Sequence, residues 1–204
     1  MQKIIITLAL IVTMSFSTAA QFNSEYYKDH QYFVSSSFFM LGNFLPSPPR
    51  YYQLNFGYRI NSKNTIIAEA ITWQYHAPLG IPYSSNSFES DDAKFPGIVR
   101  DYGIGLAYQH FIWKRLYATV HVTPFLQQYL TKDEKKIQNG FQLFTVGRLG
   151  YHFTILKNKM LIEPSVACTA WPINTNMPAD FQVEEDKWNN FFLFEPGLHF
   201  GFNF

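Results

Sequence analysis

Seven side chains could act as a group. Arg59, Arg148, Glu163 and Glu195, together with His121, His152 and His199, all occupy the polar phase of segments in which every second residue is apolar. Charges enclosed by protein need partners, so the first expectation is a paired polar network in which Arg148 meets Glu163 or Glu195. The other reading of the same residues is a polar pathway for a solute. The three histidines suggest a zinc site, but they stand on separate segments without a close-spaced ligand pair. Hydrogen-bonded filling is therefore the expectation, with no metal and no cofactor. A second constellation would do hydrolytic or acyl-transfer chemistry: His76 as base, Ser84, Ser85 or Ser87 as nucleophile and Asp101 as orienting acid, converging within hydrogen-bond reach. Serines in a polar loop are ordinary. No catalytic residue is assigned, and the chain is expected not to be an enzyme.

The elements that must hold these residues read as strands. After Gln21 no apolar run reaches the roughly 20 residues of a transmembrane helix, yet period-two alternation recurs. Phe192, Phe194, Pro196, Leu198, Phe200, Phe202 and Phe204 alternate with Glu195, Gly197, His199, Gly201 and Asn203. Tyr52, Leu54, Phe56, Tyr58 and Ile60 do the same against Gln53, Asn55, Gly57 and Arg59. The pattern predicts eight strands, over 32–44, 50–60, 65–76, 98–111, 116–130, 140–154, 160–171 and 190–204. In the third, Glu69 shares a phase with Ile71, Trp73 and Tyr75. Either a bulge changes phase there or the outward face is Ile66, Ala68 and Ala70. Pro124, Pro164 and Pro196 fall inside strands and predict local bulges or bends.

The links alternate too. Asn61–Asn64, Trp113–Arg115 and Leu156–Lys159 are tight, whereas Ala77–Gly97, Thr131–Asn139 and Pro172–Asn189 are long; Leu45–Pro49 is short. The tight turns carry Lys63, Lys114, Arg115, Lys157 and Lys159 without an acid, and the long loops collect Glu89, Asp91, Asp92, Asp133, Glu134, Asp180, Glu184, Glu185 and Asp186. An eight-stranded interior is only wide enough for side chains to fill. The crowded Phe, Tyr and Leu faces would overfill it, so they are expected to point outward, against lipid. Trp73, Tyr75, Trp113, Tyr151 and Trp171 near strand ends read as interface aromatics, and Cys168 as a small outward filler.

The composition agrees, with 19% aromatic and 15% charged residues against a usual charged share of about 25%. A net charge of +1 gives no basis for a nucleic-acid partner. Residues 1–20 read as a signal peptide: Lys3, the apolar stretch from Ile4 to Phe16, and small residues Ser17 to Ala20. Residues 21–31 then form a short periplasmic segment, and 32–204 the barrel domain.

With these features in place, the chain resembles the small outer-membrane barrels of Gram-negative bacteria, of the OmpA and OmpX type. The resemblance implies an all-β, eight-stranded antiparallel up-and-down transmembrane β-barrel, monomeric, in the bacterial outer membrane among its lipids and lipopolysaccharide. It also implies that Phe200, Phe202 and Phe204 form the signal read by the outer-membrane assembly machinery, although the glycine often found some six positions before the last residue is out of register at Gly197. The exposed loops would serve surface interaction or envelope integrity. Two alternatives stand beside this: a narrow solute channel, and a lipid-modifying enzyme of the lipid A deacylase or acyltransferase type. For the latter no His-x-Ser-Asn arrangement is present.

Overall fold

The computed structural model describes residues 30–46, 48–88, 90–91 and 94–204. The expected signal peptide and residues 21–29 lie outside the described residues, as do Glu89 and Asp92. Among the described residues nine strands form: β1 (Tyr32–Ser37), β2 (Tyr52–Arg59), β3 (Asn64–Tyr75), β4 (Gly97–Trp113), β5 (Leu116–Thr131), β6 (Lys136–Tyr151), β7 (Phe153–Ile155), β8 (Met160–Thr175) and β9 (Phe191–Asn203). Neighbours pair antiparallel, and β1 pairs with β9, so the sheet closes in an up-and-down, barrel-like ring. β6 and β7 are one stave: Gly150 opposite Ser165 and Phe153 opposite Ile162 keep a single register along β8. The interruption at His152 lies beside Pro164, which has no N–H to give the ladder. Eight staves result.

Alternation sorts the side chains. Along β2 every second residue is buried, with Gln53, Asn55, Gly57 and Arg59 inside and Tyr52, Leu54, Phe56 and Tyr58 outside. β3 runs without a bulge against both neighbours, Glu69 standing opposite Asn55 and Gly105. The choice left open by its sequence therefore resolves to Ile66, Ala68 and Ala70 outward and a buried Glu69 inward. Ile104, Leu106, Val120, Leu149 and Phe202 continue the exposed apolar exterior on other strands.

Several expectations are corrected. The first strand stops at Ser37, not residue 44, because Ser37 Oγ accepts a hydrogen bond from Phe39 N–H (3.1 Å) and starts a 3-10 helix, Phe38–Phe44. Asn43 then anchors the return, donating to Tyr51 O (2.7 Å) and accepting from Tyr51 N–H (2.8 Å). The link between β1 and β2 is accordingly long. Conversely, the expected loop Thr131–Asn139 is a tight turn, since β5 and β6 reach Thr131 and Lys136, and β8 continues to Thr175 through a register shift near Pro172. In β9 a bulge at Phe194, whose φ is +60°, turns Phe192 inward instead of outward. Trp73, Tyr75 and Trp171 likewise face the interior, where Trp171 is 2% exposed. Only Trp113, at 63%, is strongly exposed among the expected interface aromatics. Of the three prolines, Pro124 leaves two rungs missing between β4 and β5 without changing register.

One end of the ring carries the β2–β3, β4–β5 and β7–β8 turns, and the other the long links together with the tight β5–β6 turn. At the loop end the helix α1 (Ala179–Glu185) sets Phe181 against Phe95, Val99 and Tyr129 in a buried cluster. Trp171 Nε1–H donates to Glu185 Oε1 at 2.9 Å, pinning α1 to β8. Outside the ring, Glu134 in the β5–β6 turn joins Arg50 (2.7 Å) to Arg100 (3.2 Å).

Candidate functional site

The interior polar residues fall into separate groups. Near the turn end, Glu163 Oε1 lies 2.6 Å from His152 Nδ1 and accepts from Gln109 Nε2–H at 3.3 Å. Beside them Arg59 donates to His30 O (2.7 Å) and Asn203 Oδ1 (2.8 Å), with its guanidinium 4.6 Å from the Phe33 ring centroid. The Phe33 ring lies against Gly57, where any Cβ would collide with it. Phe111 and Tyr117, 6.0 Å between centroids, complete this layer. It fills the bore at that end.

Higher up, Glu69 accepts from Thr123 Oγ1–H (2.9 Å) and from the Gln53 side chain, and lies 3.2 Å from His121 Nε2. Sequence reading named His121 but missed Glu69, because the strand's phase was unresolved. The signal was its place two residues before Ile71 and four before Trp73 on a strand that also has a small-residue face. Arg148 and Glu195, expected to pair, do not. Arg148 Nη1–H donates to Ser165 Oγ at 3.0 Å, and Glu195 Oε2 accepts from Thr169 Oγ1–H at 3.1 Å. Glu163 is taken by His152. Among the described residues no carboxylate lies within ion-pair distance of Arg148.

Within the ring is a cavity of about 440 Å³. Glu69, His121, Arg148, Glu195 and His199 give it polar walls, and Ile71, Trp73, Phe125, Phe144 and Val146 apolar ones. Its lining also includes Phe38, Phe39, Pro196 and Leu198, the last on the outward phase of β9. That mixture follows from the early end of β1. Only Phe33–Ser37 meet Asn203–His199, so β9 from Phe191 to Leu198 has no strand beside it on the β1 side. Phe38 and Phe39 of the 3-10 helix and Pro196 and Leu198 of β9 bring the cavity's lining to this gap.

Among the described residues no hydrogen bond joins His76, Ser84 and Asp101. His76 follows β3 on the outward phase and is exposed, Ser84 is exposed in the 76–96 link, and Asp101 is fully buried inside, accepting from Trp73 Nε1–H at 2.9 Å. His121 and His152 each face a different carboxylate, and among the described residues no group of three His, Cys, Asp or Glu is placed to hold a metal. Phe202 and Phe204 point outward and exposed, Phe204 6.2 Å from Tyr32 by ring centroids, and Phe200 stacks edge-on with Phe38 at 4.7 Å. No family model, no curated protein and no solved structure matches the chain.

Proposed function

We propose that this chain is an integral outer-membrane β-barrel, non-enzymatic and without a through-channel, whose loop end forms a stiff external surface for envelope contacts. One observation carries the reading: the exterior is apolar around the ring while Arg59, Glu69, Glu163 and Arg148 are turned inward. A water-soluble ring gains nothing from that arrangement, whereas a hydrocarbon solvent requires it. Lys114 Nζ lies 4.7 Å over the Trp113 ring at the turn end, the pairing of amphipathic anchors expected at a membrane interface. In this reading residues 1–20 direct export, Phe200, Phe202 and Phe204 address the assembly machinery, and the monomer sits among outer-membrane lipids and lipopolysaccharide.

Refolding into lipid vesicles tests the membrane reading, and planar-bilayer recording tests the closed bore. The expected result is heat-dependent gel mobility, the mark of a folded barrel, with no stable discrete openings. Failure to insert would refute membrane residence; regular single-channel steps would refute closure and make the interior Arg, Glu and His a selectivity lining.

A further inference from the structure

We propose that the cavity behind the open flank of β9 binds a single acyl chain ending in a carboxylate, entering sideways from the membrane; this rests on the membrane reading above. The entrance supports such an occupant. Phe38, Phe39, Pro196 and Leu198 are apolar, and Phe39 is exposed at 56% on the outer side of the wall. A water-borne solute would have to cross hydrocarbon to reach them. Buried side chains stand at both axial ends, Phe33, Phe111 and Tyr117 toward the turns and Phe95, Tyr129 and Phe181 toward the loops. The volume, about 440 Å³, lies within the usual range of small-molecule pockets, about 300–1,000 Å³.

The inner wall sets the head group. Glu69 already has His121, Gln53 and Thr123, and Glu195 has Thr169. Arg148 has a hydroxyl, that of Ser165, and among the described residues no carboxylate within ion-pair distance. Its guanidinium reaches this position by crossing Gly197, where a Cβ would strike Nη1. The glycine therefore keeps Arg148 extended toward the β9 side of the cavity, the side on which the gap lies. A guanidinium offers two parallel N–H donors that match a carboxylate, and in a low-dielectric site a counter-charge is strongly favoured. The chain would lie along Phe125, Phe144 and Ile71, with its carboxylate at Arg148. Glu195, in the same register row across Ala167, is the group that an incoming carboxylate must displace or avoid, so it sets an upper limit to affinity.

The test uses the full chain refolded in detergent and in vesicles, with folding scored by heat-dependent mobility. Displacement of a fluorescent polyene fatty acid by palmitic acid and by hexadecanol reports binding and head-group preference. Saturable binding is expected, with palmitic acid at least about tenfold tighter than hexadecanol; Arg148→Gln should remove that preference while leaving hexadecanol within about twofold. Arg148→Lys should restore most of it. Folded protein that binds no probe, or binds acid and alcohol equally before any mutation, overturns the proposal and leaves the membrane reading standing. Protein that never inserts into vesicles fails the membrane reading first. Because the acid-to-alcohol ratio is read on the unmodified chain, misfolding of a variant does not rescue the idea.

Discussion

Replacing Phe181 by alanine should release the cap at the loop end without opening the ring. Phe181 is 1% exposed, its ring centroid 5.0 Å from Phe95 and 5.2 Å from Tyr129, the latter edge-on at 74°. Truncating such a buried phenylalanine costs about 3–5 kcal/mol when the site cannot collapse. The helix it belongs to spans only Ala179–Glu185, far short of the roughly 12–15 residues that sustain an isolated helix, so α1 exists because it is docked. At about 1.4 kcal/mol per tenfold, the undocked population should rise by about a hundred- to a few-thousand-fold. Hydrogen exchange of the refolded protein reads this directly, since the Gln182 and Asp186 amides donate to Pro178 O and Gln182 O within the helix, and protection tracks the open population when closing is fast. Val183, exposed on the same helix at 61%, is the control: Val183→Ala should change protection by less than about threefold. Equal, small losses for both variants would show that the aromatic cluster does not hold the cap.

Further outcomes follow from other contacts. Burial on α1 pushes the Glu185 carboxyl up to about 7, with the Asp186 charge adding and the Trp171 hydrogen bond opposing. The docked cap thus binds a proton that the free segment releases near pH 4.5, so docking is firmest below about pH 4.5 and weakens as pH rises toward 7. Exchange in α1 should quicken across that window, and Glu185→Gln should flatten the profile; an unchanged slope would exclude this carboxyl as the cause. Arg50 and Arg100 hold the Glu134 carboxyl below its ordinary value, so that outer clasp persists above the ordinary carboxylate range and is lost in acid. Glu134→Gln should speed exchange at the Arg50 and Tyr51 amides and leave ring mobility on gels unchanged. Gly57→Ala, by driving a methyl into Phe33, should lower stability by about 1–3 kcal/mol in a urea titration. His152→Leu should cost about 3–5 kcal/mol by removing the partner of buried Glu163, with much of that recovered on adding Glu163→Gln; a double variant no better than the single would refute the pairing argument.

Period-two alternation made the staves, their order and the outward faces of β2, β4 and β5 legible from sequence, because burial on one side of a sheet writes itself into every second residue. It failed where local hydrogen bonding outbid the ladder. Nothing in Phe38–Phe44 looks unlike a strand, and only the Ser37 hydroxyl on the Phe39 amide and Asn43 on Tyr51 turn it aside. Phe192 was misplaced because one bulge residue, Phe194, reverses every phase before it. Trp73, Tyr75 and Trp171 were read as interface groups by type and position near strand ends, whereas their neighbours inside are Asp101, Gln127 and Glu185, reached by Nε1–H or hydroxyl groups. The polar interior was foreseen as a set of residues; its division into a Glu163 group and a Glu69 group was not, since cross-ring partners depend on stagger that no single segment encodes.

The short contact between β1 and β9 also has a kinetic meaning. It joins residues near the two ends of the described chain, Tyr32 to Phe204 and Phe33 to Asn203, and it does so over a brief stretch, whereas β5 and β6 are zipped from Leu116 to Leu130 across a tight turn. Hairpins of that kind close quickly, while a remote seam bears the largest loop-closure entropy. Closure should therefore come last, with a curled open sheet preceding it, and unzipping should begin at the same line. A chain locked there by a cysteine pair across Val34 and Phe202 would lose its first route to unravelling.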